Sequence, residues 1–221
     1  MSAVVIPDGY QCQMEAFLLA LRANLGRRPT DHLTWKNLRS HGERVYAARE
    51  MGSQNWLKVS SVVVCKRHLG APLPSEDSAY LYTLRYLLER LSWLARDNAA
   101  VLTYTVAHIV RFKLATLREY ETALKSTAGV NIDWPSLDPA GGRIDQPQRL
   151  DGLQLGDLAA SATGQAFERD RFGNTEQRYL QEIAPRLYRR GSGTGRLTSY
   201  GLKMHPWTET TKAAYPWVAA L

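Results

Sequence analysis

Apolar and polar positions change period several times along the chain, and each change marks an expected element. Ser2 to Ile6 read as a short buried strand, and Pro7-Asp8-Gly9 turns the chain into a helix from Gln11 to Leu25 that stops at Gly26. A polar loop, Arg27-Arg28-Pro29-Thr30-Asp31, leads through Leu33-Thr34-Trp35-Lys36 to a second helix ending near Met51-Gly52. Trp56 to Cys65 are rich in β-branched side chains and give the clearest strand, expected to be central because Val62 to Val64 are apolar on both faces. Ser75 is a candidate N-cap for a helix running to Arg96, whose positions Leu81, Leu84, Leu88, Leu91 and Ala95 recur every three or four residues and form one core face. Further strands are expected at Leu102 to Ala107 and Val130 to Trp134, and further helices at Phe112 to Leu124, from Leu150 onward and at Thr175 to Leu187, with a Pro/Gly/Asp-rich loop from Pro135 to Pro147.

The resulting order, β, α, α, β, α, β, α, β, α, α, predicts an α/β fold in which helices flank a sheet. Residues 1–190 read as a single domain, and residues 191–221 as a flexible linker followed by an aromatic tail carrying Trp207, Tyr215 and Trp217. A length of 221 residues, 44% of them hydrophobic and 22% charged, suits one sizeable core. The longest apolar runs fall far short of the roughly 20 residues of a membrane-spanning helix, and the start has no basic segment of the secretory kind. A soluble, cytoplasmic protein without a membrane partner is expected. Cys12 and Cys65 show no metal-ligand spacing and are expected to be buried thiols. The five histidines have neither metal-ligand spacing nor a Ser or Cys partner nearby in sequence.

Twenty-eight Lys and Arg against 21 Asp and Glu give a formal charge of +7, which favours polyanionic partners and makes nucleic acid the expected one. Lys36, Lys66, Arg111 and Lys113 stand near the ends of expected elements, where they could neutralise phosphates; a solvated basic surface is the plainer role for each. The most informative segment is Leu150-Asp151-Gly152-Leu153-Gln154-Leu155-Gly156-Asp157-Leu158-Ala159-Ala160-Ser161-Ala162. Its small residues let a helix lie close to a sheet, and Asp151, Gln154 and Asp157 follow at three-residue intervals on one side. A carboxylate so held can bind a hard cation, or can simply accept a hydrogen bond from a neighbouring loop.

Gly152-Leu153-Gln154-Leu155-Gly156-Asp157-Leu158-Ala159-Ala160-Ser161-Ala162 resembles the C-terminal signature of the family called domain of unknown function 3800, in which a Gln-x-Ala-Asp segment opens a helix beside a ribonuclease H-like sheet. Leu33-Thr34-Trp35-Lys36-Asn37-Leu38 is similar to that family's His-aromatic-Lys segment, and Val62-Val63-Val64-Cys65-Lys66 to a central strand ending in Lys. Gly156 replaces the usual Ala, Thr34 stands where a His is common, and no Asp-Glu-Ser strand precedes Ser2, so the family's first metal-binding strand reads as missing.

The resemblance implies a ribonuclease H-like mixed sheet flanked by helices and a metal-dependent nuclease that hydrolyses phosphodiesters with Mg²⁺ or Mn²⁺. Asp157 would be one metal ligand, with Gln154 orienting it or the substrate. Two-metal chemistry needs several converging carboxylates. Asp151 and Asp145 are the candidate further metal ligands and Glu89 a candidate catalytic acid, the alternative for Glu89 being an intrahelical pair with Arg85 or near Arg90. The second expectation is a non-catalytic nucleic-acid-binding or interaction protein on the same fold. An exposed sheet edge left by the absent strand could pair two copies into a homodimer.

Overall fold

A computed structural model describes residues 1–109, 112–191 and 196–221. It is mixed α/β, rich in helix and with small sheets, and its chain divides into two compact units. One unit comprises residues 2–61 and 147–187, the other Met1, residues 62–146 and residues 188–221.

In the first unit, β1 (Ser2–Val5) pairs antiparallel with the first half of β2 (Lys58–Val64), Ser2 opposite Ser61 and Val5 opposite Lys58. Helix α5 (Gly152–Gln165) lies against β1, and Ala159 and Ala162, both fully buried, let it approach closely. The Thr163 hydroxyl meets that of Ser61 at 3.0 Å, and Ser61 meets Ser2 at 2.7 Å, so three hydroxyls satisfy one another inside the layer. Helix α1 (Gln11–Asn24) buries Met14, Leu18 and Leu21, and the chain leaves it at Gly26 with φ +65°, a left-handed conformation that glycine adopts at no steric cost. Helix α2 (His41–Ser53) starts where the Ser40 side chain accepts the Glu43 N–H. It packs on α6 (Arg178–Ile183) so closely that a Cβ on Gly52 would lie 1.9 Å from the Glu182 carbonyl oxygen.

In the second unit, β2 runs on through Val62–Val64 and takes β5 (Leu202–His205) as its neighbour. With Val59, Ser60, Ser61 and Val62 all buried and pairing in each unit, the strand read at Trp56 to Cys65 is internal as expected. Helix α3 (Glu76–Asp97) begins at Ser75, whose side chain accepts the Ser78 N–H, with Glu76 and Asp77 in its first turn facing the positive end of the helix dipole. Leu84 and Leu88 of α3, Leu117 and Leu124 of α4 (Leu114–Ser126), and Val106, Phe112, Ile132 and Leu137 form the core of this unit. Strand β3 (Thr105–Ala107) pairs parallel with β4 (Arg143–Asp145), Val106 opposite Ile144.

Four expectations need correction. Val130 to Trp134 is not a strand: Ile132 enters the core, but the N–H groups of Asn131 and Asp133 go to the Glu89 carboxylate (3.1 Å) and the Ser92 hydroxyl (2.9 Å) of α3, and Pro135 then closes a 3-10 turn over Trp134–Ser136. The strand that does pair with β3 lies inside the expected loop, at Arg143–Asp145. The C-terminal stretch is not only linker and tail, since it contributes β5 and the short helix α7 (Glu209–Ala214). Cys12 is exposed and Cys65 only partly covered. No helix among the described residues is long and apolar enough to cross a membrane.

The contact at Gly52 gives a direct test of the α2–α6 packing. Gly52→Ala must push the backbone of α6 away, and it is expected to cost about 3 kcal/mol in chemical denaturation. A cost near zero would mean the two helices do not meet at this distance.

Candidate functional site

The side of α5 that carries Asp151, Gln154 and Asp157 faces the segment between α1 and α2, and it holds that segment by its backbone. The Gln154 carbonyl oxygen accepts the Leu33 N–H at 2.8 Å and Arg22 Nη2 at 3.2 Å, while its amide nitrogen donates to the Pro147 carbonyl at 3.2 Å and to Asp151 Oδ1 at 2.7 Å. All four hydrogen-bonding positions of this side chain, 1% exposed, are thereby used, and two donors on one side with two acceptors on the other fix which way the amide points. One turn along, Asp157 Oδ2 accepts the Trp35 N–H at 2.8 Å. In extended chain, residues 33 and 35 present their N–H groups to the same side, and helix positions three apart reach both.

Arg22 completes the frame. Only 5% exposed, it donates from Nε to the Asp31 carbonyl at 2.8 Å and pairs with Asp151 at 3.4 Å. Leu33, Trp35 and Leu38 turn inward, Trp35 edge-on to Tyr179 at 4.9 Å with the Arg44 guanidinium 5.5 Å from its ring centre. The Trp35 indole N–H is buried without an acceptor among the described residues. His32, Lys36 and Arg39 remain on the outside, and with Arg27 and Asp31 they line a concavity of about 350 Å³. Its rim holds three permanent cations, Arg27, Lys36 and Arg39, against the single carboxylate of Asp31. That carboxylate is itself held below its ordinary pKa by the Arg28 backbone N–H and then by the Arg28 guanidinium. Arg27 is tied to Glu43 and the Asn37 carbonyl, which leaves Lys36 and Arg39 as the cations best placed for an outside anion.

The structure thus brings Asp151, Gln154, Asp157 and Lys36 into one unit. Glu89 and Asp145 belong to the other. Glu89 is 3% exposed, in contact with Arg90, 3.6 Å from Arg85 and accepting the Asn131 N–H. Asp145 ends β4, and its side chain accepts the Gln146 N–H at 2.8 Å. Lys66 and Lys113 are exposed, at the turn after β2 and at the N-cap of α4. Arg111 lies outside the described residues.

Sequence spacing missed a polar cluster in the second unit. The imidazole of His205 stacks on Tyr86 at 4.5 Å and meets the Tyr82 hydroxyl at 2.7 Å, with Lys203 over the Tyr86 ring. Burial, followed by the charges of Lys203, Arg85 and Arg90, holds the His205 imidazole below its ordinary pKa. The partners come from strand and helix more than a hundred residues apart, so no local pattern could announce them.

A hard dication needs several converging oxygens. Asp151 is paired with Arg22 and Gln154, one oxygen of Asp157 is taken by Trp35, and no group of three His, Cys, Asp or Glu side chains suited to a metal occurs among the described residues. The described carboxylates do not fit a two-metal site. No family model, curated protein or solved structure matches the chain.

Gln154→Leu leaves the Leu33 N–H and Arg22 without their buried acceptor and is expected to cost about 3 kcal/mol. Asp157→Asn keeps an oxygen for the Trp35 N–H and should cost less than about 1 kcal/mol. Chemical denaturation of the two variants checks the order; equal losses would show that Gln154 does not organise the segment.

Proposed function

We propose that this chain is a nucleic-acid-binding protein of ribonuclease H-like kind, resembling the domain of unknown function 3800 family, which grips a phosphodiester backbone with the basic segment from Arg27 to Arg39. The hydrogen bond between Asp157 and the Trp35 N–H carries the reading. It joins the Gln-x-x-Asp face of α5 to the Trp35-Lys36 pair, the same two stretches on which the resemblance stands. A segment whose backbone is fixed presents Lys36 and Arg39 at a defined spacing, so less freedom is lost when phosphates bind. The formal charge of +7 supports the same partner.

Metal-dependent phosphodiester hydrolysis is the second reading. It is favoured by Asp157, whose other carboxylate oxygen has no hydrogen bond among the described residues. Mg²⁺ or Mn²⁺ would supply the activated water and the charge stabilisation in such a reaction. No step is derived through the ion, because the described carboxylates do not make its site.

Fluorescence anisotropy with labelled single-stranded oligonucleotides tests the first reading. Affinity should fall steeply with salt through counterion release, and Lys36→Glu with Arg39→Glu should weaken binding and flatten the dependence of log K on log salt by about 1. Undetectable or salt-insensitive binding at low ionic strength would remove the proposal. For the second reading, cleavage with added Mg²⁺ or Mn²⁺ should disappear in Asp157→Asn while binding survives. Cleavage unchanged by that substitution would take Asp157 out of the chemistry.

A further inference from the structure

The unit made of Met1, residues 62–146 and residues 188–221 has a concavity of its own, of about 500 Å³, walled by Trp93, Arg96, Asn131, Asp133, Arg190 and Tyr200. That volume lies within the roughly 300–1,000 Å³ of small-molecule sites. Two kinds of group dominate the wall. Trp93 and Tyr200 meet at 5.8 Å with their planes 64° apart, so neither ring covers the other. Arg96 and Arg190 are exposed, and among the described residues they are held only by contacts of 3.4 Å, to neighbouring Asp97 and to the Tyr200 hydroxyl.

The walls are built rather than incidental. Beneath them lies the buried pair Glu89 and Arg90, 3% and 5% exposed. Glu89 accepts the Asn131 N–H, Arg90 Nε donates to the Ser199 carbonyl at 3.1 Å, and the Arg90 guanidinium sits 4.5 Å from the centre of the Trp93 ring. The Trp93 indole N–H donates to the Asn131 carbonyl at 2.7 Å, which fixes the ring plane. One ion pair therefore anchors the helix, the loop and the C-terminal segment that supply the concavity. Burying such a pair is costly unless its remaining hydrogen bonds are made, and here those bonds are the ones that set the walls.

We propose that this concavity binds a nucleotide unit, with the base stacked on Trp93 and Tyr200 and the phosphate held by Arg96 and Arg190. Aromatic faces take any base, and arginine matches phosphate with two parallel donors. The site rests on the nucleic-acid reading for its choice of a single strand, but it uses none of the residues from Arg27 to Arg39. Glu89 acts in it as a positioning residue, through Arg90 and Asn131.

The test is nuclear magnetic resonance of the ¹⁵N-labelled full chain, titrated with AMP and separately with a short single-stranded oligo(dA). The indole resonance of Trp93 is assigned by its loss in Trp93→Leu. It should shift with both ligands; a shift with AMP alone identifies a free nucleotide as the ligand. Trp93→Leu should lower affinity for the ligand that shifts it ~10-fold. Arg96→Gln with Arg190→Gln, both on the surface and safe for folding, should weaken the same binding and, for oligo(dA), flatten the salt dependence by about 1. An unmoved indole resonance, or folded variants that bind as the wild type does, would overturn the site. If oligo(dA) binding responds to Lys36→Glu with Arg39→Glu but not to these substitutions, the nucleic-acid reading stands and this site falls. The opposite pattern keeps this site and removes the basic segment.

Discussion

Backbone amides that no strand pairs with are the constraint on which both units turn. A buried N–H left without an acceptor costs about 1–3 kcal/mol, and each unit meets that cost with the same device. In one, the N–H groups of Leu33 and Trp35 go to Gln154 and Asp157; in the other, those of Asn131 and Asp133 go to Glu89 and Ser92. In both, the acceptors are three residues apart on a helix and the donors two apart in extended chain. Helix positions three apart share a face, and alternate residues of extended chain share a side, so the two spacings meet with only side-chain length to adjust. Extended segments can thus be buried beside helices without belonging to a sheet, and the sheets themselves stay small.

This device explains what the sequence could reveal and what it could not. Helices α1, α2, α3 and α5 are legible because their apolar periods are long and their caps are local, as at Ser40 and Ser75. β2 is legible because its β-branched run is buried throughout its middle. Val130 to Trp134 has the alternation of a strand, and in one respect behaves as one: alternate side chains turn inward while alternate amides seek acceptors. The acceptors belong to α3, which no periodicity within the segment can express. β4 fails for the opposite reason, being three residues long and set among Pro, Gly and Asp, with a partner, β3, some forty residues away.

Legibility of the candidate site divides in the same way. The three-residue spacing of Asp151, Gln154 and Asp157 correctly implies a shared helix face. What that face meets depends on the fold, and it meets a backbone. Glu89 was singled out as an acid in mid-helix, yet Arg85 and Arg90 already stood beside it in the sequence, and both contact it in the structure. Burial pulls the Arg90 guanidinium down from its ordinary pKa while the Glu89 carboxylate works the other way, so the two charges depend on one another.

Holding a backbone and presenting a ligand site are not competing uses of such side chains. A side chain that is locked by its own hydrogen bonds fixes whatever follows in the chain, and a binding group is only as well placed as the residues behind it. Trp35 is fixed by Asp157 and passes that order to Lys36 beside it; Asn131 is fixed by Glu89 and passes it to the indole of Trp93, whose N–H it accepts. The same polar groups that make these extended segments foldable therefore set the spacing of cations in one unit and the orientation of an aromatic ring in the other. Selection for a stable backbone and selection for a shaped surface act here on the same four helix positions.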